Sequence, residues 1–80
     1  MIAVFLDAGR DKNGNPRRGW LIVDVQGNSV DWVEYGYEGT GALRRLYPVI
    51  PETERISVPL KEYRRVKKLS RFPRPARKLR

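Results

Sequence analysis

The chain has 80 residues, 40% of them hydrophobic, with no cysteine and no histidine. That length allows one domain with a modest core, and the composition excludes a disulfide framework, thiolate zinc sites, and imidazole or thiol catalysis. The formal net charge of +8 is unevenly held: residues 1–60 carry seven Lys/Arg and eight Asp/Glu, residues 61–80 carry ten and one, and such asymmetry points to an acidic partner.

Residues 2–6, Ile-Ala-Val-Phe-Leu, read as a first strand. This apolar run is too short for a membrane span or a signal peptide, and no basic segment precedes it. With no cysteine, the expected setting is cytoplasmic. Asp11-Lys-Asn-Gly-Asn-Pro16 is rich in turn formers and joins this strand to an antiparallel neighbour. Asp11, Asn13 and Asn15 have the spacing that begins an EF-hand loop, but position six would be Pro16 and position twelve Ile22. A calcium loop needs Gly and Glu there, so this stretch is read as a turn.

Residues 18–37 carry the strongest fold signal. Two runs rich in Val, Ile, Trp and Tyr flank Gly27-Asn28, which predicts a hairpin closed by a two-residue type II′ turn. That register sets Gln26 opposite Ser29, Val25 opposite Val30, Asp24 opposite Asp31 and Val23 opposite Trp32. It continues with Ile22 opposite Val33, Leu21 opposite Glu34 and Trp20 opposite Tyr35. Leu21, Val23, Val25, Val30 and Trp32 then share one face; Trp20, Ile22, Val33 and Tyr35 share the other. Both faces are apolar, so both are expected to be covered, by a helix or by curling of the sheet. The Asp24/Asp31 pair is unfavourable, and two carboxylates are too few for a divalent metal.

Gly36-Tyr-Glu-Gly-Thr-Gly41 lacks the Gly-Lys-Ser/Thr of a phosphate loop. It is read as a tight turn, with Thr40 as N-cap of a helix from Gly41 to about Leu46 that stops before Pro48. Leu43, Leu46 and Tyr47 would face inward, Arg44 and Arg45 outward. Arg55–Val58 reads as an edge strand with Ile56 and Val58 on one side. Pro59 can begin a helix over about 60–69, in which Tyr63, Val66 and Leu69 lie within about 120° of arc. Lys61, Arg64, Arg65, Lys67 and Lys68 fall opposite. Residues 70–80, with two prolines and five cations, are expected to be a flexible basic tail. No internal repeat is visible.

The expected fold is mainly β (α+β). It is a small antiparallel meander of three to four strands, curled towards an SH3-like partial barrel, with one or two short helices. A single domain would span 1–69. The basic end sets the functional expectation: a non-enzymatic nucleic-acid-binding module for RNA or DNA, with low sequence specificity. Its phosphate-binding residues would be Lys61, Arg64, Arg65, Lys67, Lys68, Arg71, Arg74, Arg77, Lys78 and Arg80. Trp20, Tyr37 and Phe72 are candidate stacking rings, although core is the usual place for Trp in so small a chain. No cofactor, metal or small-molecule substrate is expected. The short apolar arc of the helix, consumed by packing, argues against a membrane surface. The alternative is an adaptor whose β-body docks a protein partner while the basic tail meets that partner's acidic patch.

Overall fold

Alternation along the first three strands sorts the apolar side chains onto two faces, and each face is covered by one helix. The computed structural model describes residues 1–36 and 38–71, with side chains described through Lys68. The elements are β1 (Ile2–Arg10), β2 (Pro16–Val23), β3 (Ser29–Glu34), α1 (Gly41–Leu46), β4 (Ile56–Ser57) and α2 (Leu60–Arg71). They form a small α+β protein around a mixed four-stranded sheet of order β3-β2-β1-β4.

The β1–β2–β3 meander is antiparallel as expected, but β4 runs parallel to β1, so the four-stranded antiparallel meander is corrected. The chain leaves β3, forms α1 over one face, and returns along the free edge of β1. Backbone bonds from Ala3 N–H to the Pro51 carbonyl (2.8 Å) and from Thr53 N–H to the Ala3 carbonyl (2.9 Å) begin this edge. Where the ladder is interrupted, the Thr53 hydroxyl oxygen accepts the Phe5 N–H at 3.0 Å. The sheet remains open and no SH3-like barrel closes. Covering each face with a helix removes the reason to curl, because the apolar side chains are already buried.

One core holds Ala3, Trp20, Ile22 and Val33 beneath Leu43 of α1 and Ile50. The other holds Leu6 and Trp32 beneath Tyr63 of α2, with Leu21, Leu60 and Val66 around them. In α1, Leu43 is buried but Leu46 is 55% exposed, against its expected inward position, because so short a helix presents only one residue squarely to the sheet. Arg44 turns inward, donating to the Ile50 carbonyl (2.8 Å) and to Glu52 (2.6 Å). Thr40 precedes α1 without a side-chain cap bond. Val58 packs into the second core, whereas Ile56 is exposed.

The hairpin register differs by two residues from the expected one: Trp20 pairs with Val33, Leu21 with Trp32 and Ile22 with Asp31. The cause is the turn. The Asp24 N–H donates to the Asn28 carbonyl, the Gly27 N–H donates to the Asp24 carbonyl, and Gly27 has φ 88°. This is a three-residue loop ending in a left-handed glycine. A slip of two leaves the faces intact, since side chains alternate with period two. Val30 is the exception. It is the extra residue of a bulge in β3 and packs with the Trp20 face. Val25 lies in the loop, 90% exposed, and the Asp24/Asp31 opposition does not occur. Asp31 is instead buried, accepting from the Tyr47 hydroxyl (2.6 Å) and the Trp32 N–H (2.8 Å).

The β1–β2 loop repeats this device. Asp11-Lys-Asn-Gly14-Asn15 and Asp24-Val-Gln-Gly27-Asn28 share the pattern Asp-x-x-Gly-Asn, a short repeat that inspection of the sequence alone passes over. In both, the Asp carboxylate accepts two backbone N–H groups, each at 2.9 Å, from residues two and four further on. Those bonds, led by the one from the Asn, hold both carboxyls below the usual aspartate range.

Among the glycines, Gly19 leaves the least room for a side chain. A Cβ there would lie 2.2 Å from the Trp32 ring, which rests against the bare backbone. Gly19→Ala is therefore expected to cost about 1–3 kcal/mol or more through overpacking. Gly36→Ala, where an added methyl meets nothing within 4 Å, serves as the control; urea melts of the two variants measure the difference.

Candidate nucleic-acid interface

The basic face of α2 is positioned by what lies beneath it. Tyr63, 4% exposed, forms a T-shaped pair with Trp32, their ring centres 5.4 Å apart at 82°. Glu34 gathers the surrounding donors: Trp32 Nε1 at 3.0 Å, Lys67 Nζ at 2.9 Å and the Tyr63 hydroxyl at 3.1 Å. Burial by itself would raise the Glu34 carboxyl; the bonds from Lys67 and Trp32 and the Lys67 charge outweigh it and hold the group below its ordinary value. Burial, followed by the Glu34 charge, pushes the Tyr63 phenol well upward. It therefore remains a donor throughout the neutral range.

The helix begins with Tyr63 N–H bonded to the Pro59 carbonyl at 3.0 Å and extends to Arg71, two residues beyond its expected end. Its cations divide into two groups. Lys67 is half-buried against Glu34 and lies 5.8 Å from the Tyr63 ring centre, so its assignment to the free cationic face is corrected. Arg65 is paired one turn away with Glu62 at 2.6 Å. Lys61, Arg64 and Lys68 are exposed, and none has a carboxylate partner among the described residues. Their spacing of three and four places them in one stripe, about 10 Å long at 1.5 Å per residue.

Of the seven cations in residues 1–60, four are in ion pairs. Asp7 takes Arg18 (3.3 Å) and Arg55 (3.5 Å), Glu52 takes Arg44, and Glu38 takes Arg45. Arg18 meets Asp7 at ion-pair distance, but its Nε lacks hydrogen-bond geometry; its guanidinium also lies 5.7 Å from the Tyr35 ring centre.

Trp20 is withdrawn as a stacking ring. It is 0% exposed, its indole N–H donates to Glu52 at 3.1 Å, and it is stacked on Phe5 at 5.0 Å. Tyr37, Phe72, Arg74, Arg77, Lys78, Arg80 and the expected tail from 72 onward lie outside the described residues, as does the Arg71 side chain.

Two contributors escaped the sequence reading. Arg17 shares the α2 side of the sheet with Gly19 and Leu21, and its charge reaches the Tyr63 hydroxyl; strand alternation is the signal that would have found it. Glu34 is the anchor of α2, and only the tertiary pairing reveals that.

Among the described residues no helix is long and apolar enough to cross a membrane, and no three Asp/Glu side chains gather into a metal site. No family model, no curated protein and no solved structure matches the chain.

Because the folded Glu34 carboxyl lies below its ordinary value of 4.5, the unfolded chain binds the extra proton as pH falls. The Glu34 contribution is thus fully present above about pH 4.5 and disappears as pH drops through the folded value. Glu34→Gln should be less stable than wild type at pH 7, with the gap narrowing below pH 4. Denaturation curves across pH 3–7 report this, and the Asp11 and Asp24 contributions cancel in the difference.

Proposed function

We propose that the protein binds nucleic acid through its phosphates, with little sequence specificity, and that the binding surface is the outer stripe of α2 together with the basic residues that follow it. On this reading it is a binding module rather than an enzyme and acts in the cytoplasm. One observation carries the proposal: Lys61, Arg64 and Lys68 form an exposed stripe unneutralised by any described carboxylate, while most body cations are paired. The strongly cationic end of the chain, ten Lys/Arg to one acid in residues 61–80, supports the same reading.

Phosphate binding releases counterions, so affinity should fall with salt. Replacing Lys61, Arg64 and Lys68 together by Gln should reduce the log–log salt slope by about 2–3 units while leaving the melting temperature nearly unchanged, since none of the three supports the core. Scrambling the target sequence should have little effect, because phosphate contacts carry no base information. Fluorescence anisotropy over a salt series tests both. A slope unaltered by the triple substitution would move the interface off α2.

A second reading is favoured by a different surface. On the other side of the sheet, Met1, Leu46, Tyr47, Pro48, Val49, Ile50 and Pro51 line an apolar cavity of about 400 Å³. Val49 is 92% exposed beside it and Leu46 55%. Seven residues fall far short of the roughly 20–30 per side of a stable globular interface, so the occupant that fits is a short apolar segment of a protein partner. This is the adaptor reading. Leu46→Asp with Val49→Asp should abolish such docking and leave nucleic-acid affinity untouched, as read by partner titration and anisotropy on the same variant.

A further inference from the structure

Resting on the nucleic-acid reading above, we infer that the ligand is a duplex gripped by its phosphates and not a single strand stacked on aromatic rings. Sequence-tolerant single-strand binders combine a cationic track with exposed rings on which successive bases lie. Among the described residues the rings and the cationic stripe are separated. Beneath α2 lie Trp32 and Tyr63, 3% and 4% exposed, and both are covered by the helix that bears the cations. Phe5, Trp20 and Tyr35 form one stack on the opposite face of the sheet, and Tyr47 is bonded to Asp31 on that same side. No strand can follow Lys61, Arg64 and Lys68 and also reach those rings without passing around the sheet. The sheet face on which many single-strand readers spread their bases carries α2 on the cationic side, and on the other side α1 covers part of the face and leaves Phe5 and Tyr35 half-buried there.

The shape of the stripe suits a rod. Lys61, Arg64 and Lys68 are borne by one 12-residue helix, clamped through Tyr63 and Lys67 to Glu34, so the charges are held in a straight line. A duplex presents a charge about every 1.7 Å along its axis, both strands counted, so about six fall within the length of the ~10 Å stripe. It also keeps its bases stacked internally, so it asks for no aromatic platform. A single strand has half that axial density at the same rise and must forgo its own stacking or find rings to replace it. The shared chemistry is the double-helical phosphate backbone, of DNA or of RNA.

The test uses the full chain and fluorescently labelled probes: a 20-base-pair DNA duplex of mixed sequence, an RNA duplex of the same sequence, and 20-mers of oligo-thymidine and oligo-uridine, titrated at equal salt. At least one duplex should bind tenfold or more tighter than either single strand, and the Lys61→Gln/Arg64→Gln/Lys68→Gln variant should weaken the duplex tenfold or more while barely changing the single-strand values. Which duplex wins separates DNA from RNA. If a single strand binds as tightly as both duplexes, the duplex inference is overturned while the nucleic-acid reading stands; a further loss on Tyr37→Ala or Phe72→Ala would identify the ring responsible. If no probe binds at the lowest salt, both fail together.

Discussion

The ring of Trp32 lies against the backbone of Gly19, and the α2 side of the molecule depends on that contact. Without a Cβ at Gly19, the indole sits against the bare backbone there and directs its N–H at Glu34. The Trp32 and Tyr63 rings meet in a T-shaped pair, and the Tyr63 hydroxyl reaches the same carboxylate. Lys67 completes the set one helical turn later. A glycine in a strand usually weakens it; here it creates the depth that lets a helix sit close. Glu34 gives the buried Trp32 N–H and Tyr63 hydroxyl an acceptor whose absence would be costly.

This clamp has a consequence for charge. One helix carries five cations among its described side chains, Lys61, Arg64, Arg65, Lys67 and Lys68. The fold uses Lys67 to secure the helix and pairs Arg65 with Glu62 on the surface. What remains outward is a narrow stripe rather than a uniformly basic face. The opposite side of the sheet is held by different means. There Asp31, Tyr47, Glu52, Arg44 and Trp20 form hydrogen bonds across the first core, tying α1 and the segment after it to the sheet. An apolar cavity opens where that segment turns. Two chemically unlike surfaces, one cationic and one apolar, are thereby kept on opposite faces of one thin sheet.

The paired Asp-x-x-Gly-Asn loops show how a small chain secures its hairpins. The glycine takes the left-handed conformation that closes a three-residue loop, and the aspartate caps the backbone N–H groups that the tight turn leaves unpaired. Both loops are exposed, so their value lies in register rather than in burial. A two-residue loop at Gly27-Asn28 would have demanded the other register and set Asp24 against Asp31. The observed loop moves Asp24 into a capping role and allows Asp31 to be buried under Tyr47.

What the sequence by itself determined was local. Period-two alternation in 18–35 assigned Trp20, Ile22 and Val33 to one face and Leu21 and Trp32 to the other, and that partition survived the two-residue slip because it depends only on parity. The short helix at Gly41–Leu46 and the amphipathic helix with Tyr63 inward were legible from turn chemistry and the 3.6 period. The concentration of charge beyond residue 60 was plain from composition. Only the tertiary structure decided the parallel return of residues 51–58 along β1, because nothing in a two-residue strand encodes which edge it joins. It also decided which cations stay free: Lys67 and Arg64 look alike in sequence, and Glu34, thirty-three residues before Lys67, separates them. The burial of Trp20 and the seating of Trp32 on Gly19 were likewise settled by contacts between strands, where the distance across the sheet, rather than the distance along the chain, sets which side chain meets which.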